Sequence, residues 1–122
     1  MAKFVYLNVN PEQEKRSDCV SRAITLATGY KYSDVRKMLF FSSKLMKCMK
    51  LACECYSHLL DDTLKFPRVN CRRLTINEFA DKHPFGTYII RIEGHLTCVK
   101  DNSLYDIWDC RNEFCDIVWR VD

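Results

Sequence analysis

Along the 122-residue chain the spacing of apolar positions changes once, from helical in the first two thirds to strand-like after about residue 86. Phe4–Val9 alternates weakly and predicts an edge strand or an extended arm leading to Pro11. Val20, Ala23, Ile24 and Ala27 then recur at helical spacing behind Ser17, a good N-cap, and Asp18, which suits a positive helix end; Gly29 supplies the stop. Ser33-Asp34 caps a second helix carrying Val35, Met38 and Leu39. Leu45, Met46, Met49, Ala52, Cys53, Tyr56, Leu59 and Leu60 predict a third helix from Ser42 or Ser43 to about Leu64, closed by Phe66-Pro67. Val69–Leu74 reads as short and irregular or extended. Thr75-Ile76-Asn77-Glu78 has capping-box spacing and predicts a short helix from Ile76 to about Lys82.

The remainder is β: Thr87–Ile92, His95–Lys100, Leu104–Trp108 and a last strand near Cys115–Val121. Helices followed by strands predict an α+β fold, with N-terminal helices packed on a C-terminal antiparallel sheet. Residues 1–122 read as one domain, helical over about 17–82 and sheet over about 86–121.

Candidate chemistry falls where these parts meet. Cys19 lies in the first turn of its helix, where unpaired N–H groups and the helix dipole favour a thiolate. Gln13 stands six residues earlier, within reach along a bent lead-in to donate to an oxyanion at the sulfur's target. His95 is the histidine in a strand setting, just after Gly94. If the turn at Asp101-Asn102-Ser103 is centred on Asn102, His95 faces Asp109, the preferred orienting carboxylate. A centre half a residue away would put Trp108 opposite His95 and bring Asp106 onto the same face; the sequence leaves both registers open. His83, before Pro84, reads as a helix-ending residue.

Composition narrows the classes. At 48% hydrophobic, with only three Gly and three Pro, the chain has apolar material for a core. A net charge of +3 with scattered basic residues gives no support for nucleic-acid binding. No apolar run approaches membrane-spanning length, and Met1–Leu7 lacks a long apolar core and a cleavage site, so a cytoplasmic protein without membrane association is expected. Eight cysteines without a secretory signal are expected to be mostly reduced and buried. Zinc can be drawn onto Cys48, Cys53, Cys55 and His58, or onto Cys110 and Cys115 with four residues between them. Neither group has a Cys-x-x-Cys gap, and on a helix Cys53 and Cys55 point about 200° apart. No metal and no cofactor is therefore expected.

Gln13, Asp18-Cys19-Val20-Ser21-Arg22-Ala23-Ile24, Phe79–Tyr88, Gly94-His95-Leu96-Thr97 and Tyr105–Asp109 together resemble the papain-like cysteine peptidase fold. The chain is most similar to its small double-glycine-type, bacteriocin-processing branch and to short phage and bacterial proteins like that branch. The resemblance spans most of the chain from Gln13, apart from Phe40–Asn70, and departs from the usual pattern at Val20, where many such peptidases carry a small residue. It implies Cys19 as nucleophile, His95 as base, Asp109 as orienter and Gln13 as oxyanion donor. It further implies a peptide or isopeptide bond in a protein or peptide as substrate, with deamidation or acyl transfer open to the same triad. The alternative is a catalytically idle scaffold acting as a protein-binding or inhibitory module, phage-encoded and working in a host cytoplasm.

Overall fold

Thr87–Ile92 is a nearly continuous apolar run, and as strand β3 it lies inside the sheet with all but Arg91 buried. The computed structural model describes residues 1–12, 18–49 and 52–122. Among them, strands β1 (Lys3–Tyr6), β2 (Arg68–Val69), β3, β4 (His95–Lys100), β5 (Ser103–Asp106) and β6 (Ile117–Arg120) form one sheet in the order β1-β5-β4-β3-β6-β2. Helices α1 (Cys19–Thr28), α2 (Tyr32–Met46), α3 (Cys53–His58) and α4 (Ile76–Lys82) complete an α+β fold.

Both faces of β3 are covered. Ile89 joins Val20, Ile24, Val35, Leu39, Leu60 and Trp119 in the core beneath α1 and α2. Tyr88, Ile90 and Ile92 join Ile76, Phe79, Ala80 and Val118 in a second core beneath α4. Alternate residues of one strand thus feed two cores, as the two-residue side-chain period requires.

The sheet is not the purely antiparallel C-terminal unit that the sequence predicts. β1 pairs in parallel with β5, placing the chain's first strand at one edge, and β2 adds the other edge beside β6. Both are short edge strands with weak alternation, so their partners could not be read from pattern alone.

Two hairpins order the centre. β3 and β4 are joined through Glu93-Gly94, with Ile92 paired to His95 and Gly94 at φ 70. A side chain added at Gly94 would meet nothing within 4 Å, so the glycine serves the backbone angle rather than a close approach. β4 and β5 are joined by Asp101 and Asn102, both at positive φ, with Lys100 paired to Ser103. Left-handed angles at both central positions match the twist of the flanking strands.

Among the helices, α1 ends at Gly29 in the left-handed conformation and α4 carries the reciprocal Thr75–Glu78 capping box over the expected range. His83 is the C-cap of α4 and stacks on Phe79. The predicted third helix is corrected. α2 runs on through Ser42 and Ser43 to Met46, Lys47 turns left-handed, and a new helix starts only at Cys53, followed by a π-helical turn over Leu59–Thr63. Ser42 is an inward residue, buried with its hydroxyl 3.4 Å from His58 Nδ1, and not an N-cap. Cys48 and Cys55 are joined by a disulfide, while Cys19, Cys53, Cys71, Cys98, Cys110 and Cys115 are free thiols. No described helix is long and apolar enough to cross a membrane.

One buried carboxylate fastens the entry to α1. Asp18 occupies the N-cap position but makes no side-chain cap bond. It pairs with Arg22 one turn on, and accepts from Asn10 Nδ2 at 2.9 Å and Tyr32 Oη at 2.6 Å. Post-β1 chain, α1 and the start of α2 therefore meet on one charge. Asp18→Ala is expected to cost on the order of 3–5 kcal/mol in urea denaturation, the range for breaking a buried ion pair; a loss below about 1 kcal/mol, the surface-pair range, would contradict the assignment.

Candidate active site

Cys19 is the first residue of α1, where the N–H groups of the opening turn have no partner within the helix. The chain's helical stretch therefore begins on the cysteine itself. Its half-buried sulfur lies beside the side chain of His95 and the backbone of Leu96 at the start of β4, and both pull its pKa down. His95 Nε2–H in turn donates to Asp106 Oδ2 at 2.6 Å, which leaves Nδ1 as the ring nitrogen for the sulfur.

The carboxylate on His95 is Asp106, at the end of β5, and not the preferred Asp109. The β4–β5 pairing of Lys100 with Ser103 and Cys98 with Tyr105 sets the turn centre between Asp101 and Asn102. That half-residue shift brings Asp106, the last residue of β5, onto Thr97 and His95, and Trp108 beside the His95 ring. Trp108 stands edge-on to the imidazole, with ring centroids 5.0 Å apart. Asp109 lies outside this constellation and clamps the guanidinium of Arg111 through both carboxylate oxygens, at 2.8 Å each.

Asp106 is 5% exposed and fully engaged. Oδ2 accepts from His95 and from Thr97 Oγ1 at 2.6 Å, and Oδ1 accepts from the backbone of Ile107 at 2.6 Å and of Trp108 at 3.3 Å. Cys110 Sγ lies 4.0 Å from Oδ2, buried under the triad.

Electrostatics favour separated charges. Burial alone would lower the His95 pKa, but bonds to Asp106, Cys110 and Cys19 outweigh it and raise the imidazole to about 11. Burial would push the Cys19 thiol up, yet its bonds to His95 and Leu96 and the imidazolium charge hold it below its ordinary value of 9.0. Asp106 behaves alike: burial is outweighed by His95 and Thr97, and the carboxyl stays below 3.8. Such an arrangement shifts Cys19 toward the thiolate beside an imidazolium braced by a carboxylate.

A cleft of about 320 Å³ opens between Cys19 and Val20 of α1, Cys53 and Tyr56 of α3, and Arg91 and His95 of the β3–β4 hairpin. Tyr56 Oη accepts from Arg91 Nε at 2.9 Å, and Arg91 also pairs with Asp116, so this wall is polar and tied down. Val20 lines the cleft, though its side chain is 4% exposed and belongs to the core beneath α1.

Of the residues singled out in the sequence, Cys19 and His95 come together and Asp109 does not join them. Gln13 lies outside the described residues, as does the Ser17 cap. Cys48, Cys53, Cys55 and His58 do not converge: Cys48 and Cys55 form the disulfide, Cys53 Sγ is 3.6 Å from Ser57 and His58 meets Ser42. From the sequence, Trp108 enters only as the residue opposite His95 in the other register, Cys110 only beside Cys115 as a zinc candidate, and Thr97 only within Gly94-His95-Leu96-Thr97; none is given a role beside Cys19. Thr97 had a signal in its two-residue spacing from His95 on one strand; Cys110 lies in the chain after β5, and nothing in the sequence tied it to His95.

The two carboxylates separate by pH. Asp106 is held below its ordinary value, so its contribution to stability is present above pH 3.8 and is lost as pH falls through the lowered folded value. Asp106→Asn should flatten the acid limb of urea stability from about pH 3.8 down to that value. Asp109→Asn, which removes only a surface pair, should leave the limb within about 1 kcal/mol of wild type. Equal effects would contradict the assignment.

Compared with known proteins, the chain matches no family model, no curated protein and no solved structure.

Proposed function

We propose that this chain is a cysteine hydrolase of papain-like architecture, acting on a peptide or isopeptide bond through Cys19, His95 and Asp106. The observation that carries the reading is the placement of Cys19 beside His95, whose imidazole is hydrogen-bonded to Asp106 at 2.6 Å, at the edge of an open cleft. Nucleophile, base and orienter are each within bonding reach of the next.

In this reading the Cys19 thiolate attacks the substrate carbonyl carbon, forming an S–C bond as the carbonyl electrons move onto oxygen. The Cys19 backbone N–H and the Gln13 amide would stabilise that oxyanion. Imidazolium Nδ1–H then gives its proton to the departing amine as the C–N bond breaks. Water attacks the thioester, Nδ1 takes its proton, and the C–S bond breaks to restore the thiolate. An amine in place of water would give acyl transfer, and a glutamine side chain as the attacked amide would give deamidation.

A catalytically idle binding module is the second reading. The outer face of α2 favours it, because Phe40, Phe41 and Leu45 are exposed beside Arg36, Lys37 and Lys44. Under that reading Cys19→Ala would leave biological activity intact.

Iodoacetamide alkylation against pH, located by mass spectrometry, tests the first reading. Cys19 should react fastest of the free cysteines below neutral pH, by at least about tenfold over an ordinary thiol that is only a few per cent ionised at pH 7. His95→Ala should move its profile toward 9.0. If Cys19 reacts no faster than Cys53, the other partly exposed free thiol, or is indifferent to His95→Ala, the hydrolase reading fails.

A further inference from the structure

Cys110 is a titratable group at the site that the acyl-transfer cycle leaves unused. It is 1% exposed and packed among the residues beneath α4. Its sulfur lies 4.0 Å from Asp106 Oδ2 and near enough to the His95 side chain to feel it electrostatically. A ring nitrogen of His95, a carboxylate oxygen of Asp106 and Cys110 Sγ all lie within 4.8 Å of one another, the one such convergence of three metal-ligating side chains among the described residues.

The donor set is informative. Imidazole, carboxylate and thiolate together suit zinc and its thiophilic neighbours, whereas magnesium and calcium call for oxygen ligands. Bonds of about 2.0 Å to N or O and 2.3 Å to S place tetrahedral donors about 3.3–3.6 Å apart. The Nε2–Oδ2 separation of 2.6 Å would therefore open, and the Oδ2–Sγ separation of 4.0 Å would close, each by less than about 1 Å. Charge balances too. One carboxylate and one thiolate neutralise a divalent cation, so the occupied site buries no net charge. The backbone N–H groups of Ile107 and Trp108 already hold the other carboxylate oxygen, as outer partners do at metal centres.

We propose that His95, Asp106 and Cys110 bind a thiophilic divalent cation, zinc above all, and that occupancy switches the Cys19 site off. On binding, the protons of Nε2 and of the Cys110 thiol leave to solvent, and the cation takes the vacated nitrogen and sulfur lone pairs together with Oδ2. A solvent oxygen takes the fourth position. The ring is then a neutral ligand whose remaining proton sits on Nδ1, facing Cys19. Such an imidazole accepts no further proton, so the base is lost. The switch rests on the hydrolase reading; the cation site does not.

Cobalt(II) titration of the full-length protein, with free thiols kept reduced and the buffer cleared of chelators, reads the site without turnover. A near-ultraviolet thiolate-to-cobalt band saturating at one equivalent, and bleached by zinc, is expected. Cys110→Ser and Cys110→Ala should each lose it while keeping the wild-type circular dichroism, and Cys19→Ser should keep it. A missing band in the wild type, persistence in both Cys110 variants, or loss in Cys19→Ser would overturn the site. Saturating zinc should slow Cys19 alkylation below neutral pH at least tenfold in wild type but not in Cys110→Ala. An unchanged wild-type rate in zinc overturns the switch, whereas a slow Cys19 without metal counts against the hydrolase reading alone.

Discussion

Burying the Asp106 carboxylate is the constraint on which the site depends. A charge at 5% exposure has lost most of its water, and leaving it unpaired would cost on the order of several kcal/mol. Its two oxygens are met by an imidazole, a hydroxyl and two backbone N–H groups, drawn from β4 and from the chain leaving β5. These donors hold the charge in place, and the charge in turn holds His95 as an imidazolium. Cys19 then acquires a cationic neighbour because α1 begins against the start of β4. Two strands, one helix end and one buried charge therefore depend on each other.

The same economy appears at the entrance to α1, where Asp18 gathers Asn10, Arg22 and Tyr32. Two buried aspartates thus flank the cysteine, one fixing where the helix starts and the other fixing the imidazole opposite. Neither acts as a helix cap or surface charge, the ordinary uses of aspartate. That difference explains how the cleft keeps its shape with the half-buried Cys19 sulfur on its floor: the backbone around Cys19 is tied to charges that have nowhere else to go.

Much of this was legible in the sequence, and the misses have physical causes. The α1 range, the Gly29 stop, the Thr75 capping box and the central strands follow from periodicity and local hydrogen-bond chemistry, which short windows record. The pairing of Cys19 with His95 was legible from helix position and strand setting. The identity of the carboxylate was not, because it turns on half a residue of register in a hairpin whose centre falls between Asp101 and Asn102. Two successive residues that tolerate left-handed backbone were the available clue to a two-residue turn. The helix break at Lys47 was hidden because Leu45, Met46 and Met49 continue the period through the turn, yet Leu45 and Met49 are exposed. β1 and β2 found partners across long stretches of chain, information that no local pattern carries.

The most direct test of the central claim is the nitrogen-15 and proton NMR titration of the histidine side chains His58, His83 and His95. The account predicts that His95 keeps both ring protons well above the ordinary 6.5, toward about 11, and that Asp106→Asn lowers this titration while Asp109→Asn leaves it in place. A wild-type protein in which His95 titrates near 6.5, or in which Asp109→Asn moves it as far as Asp106→Asn does, would contradict the account.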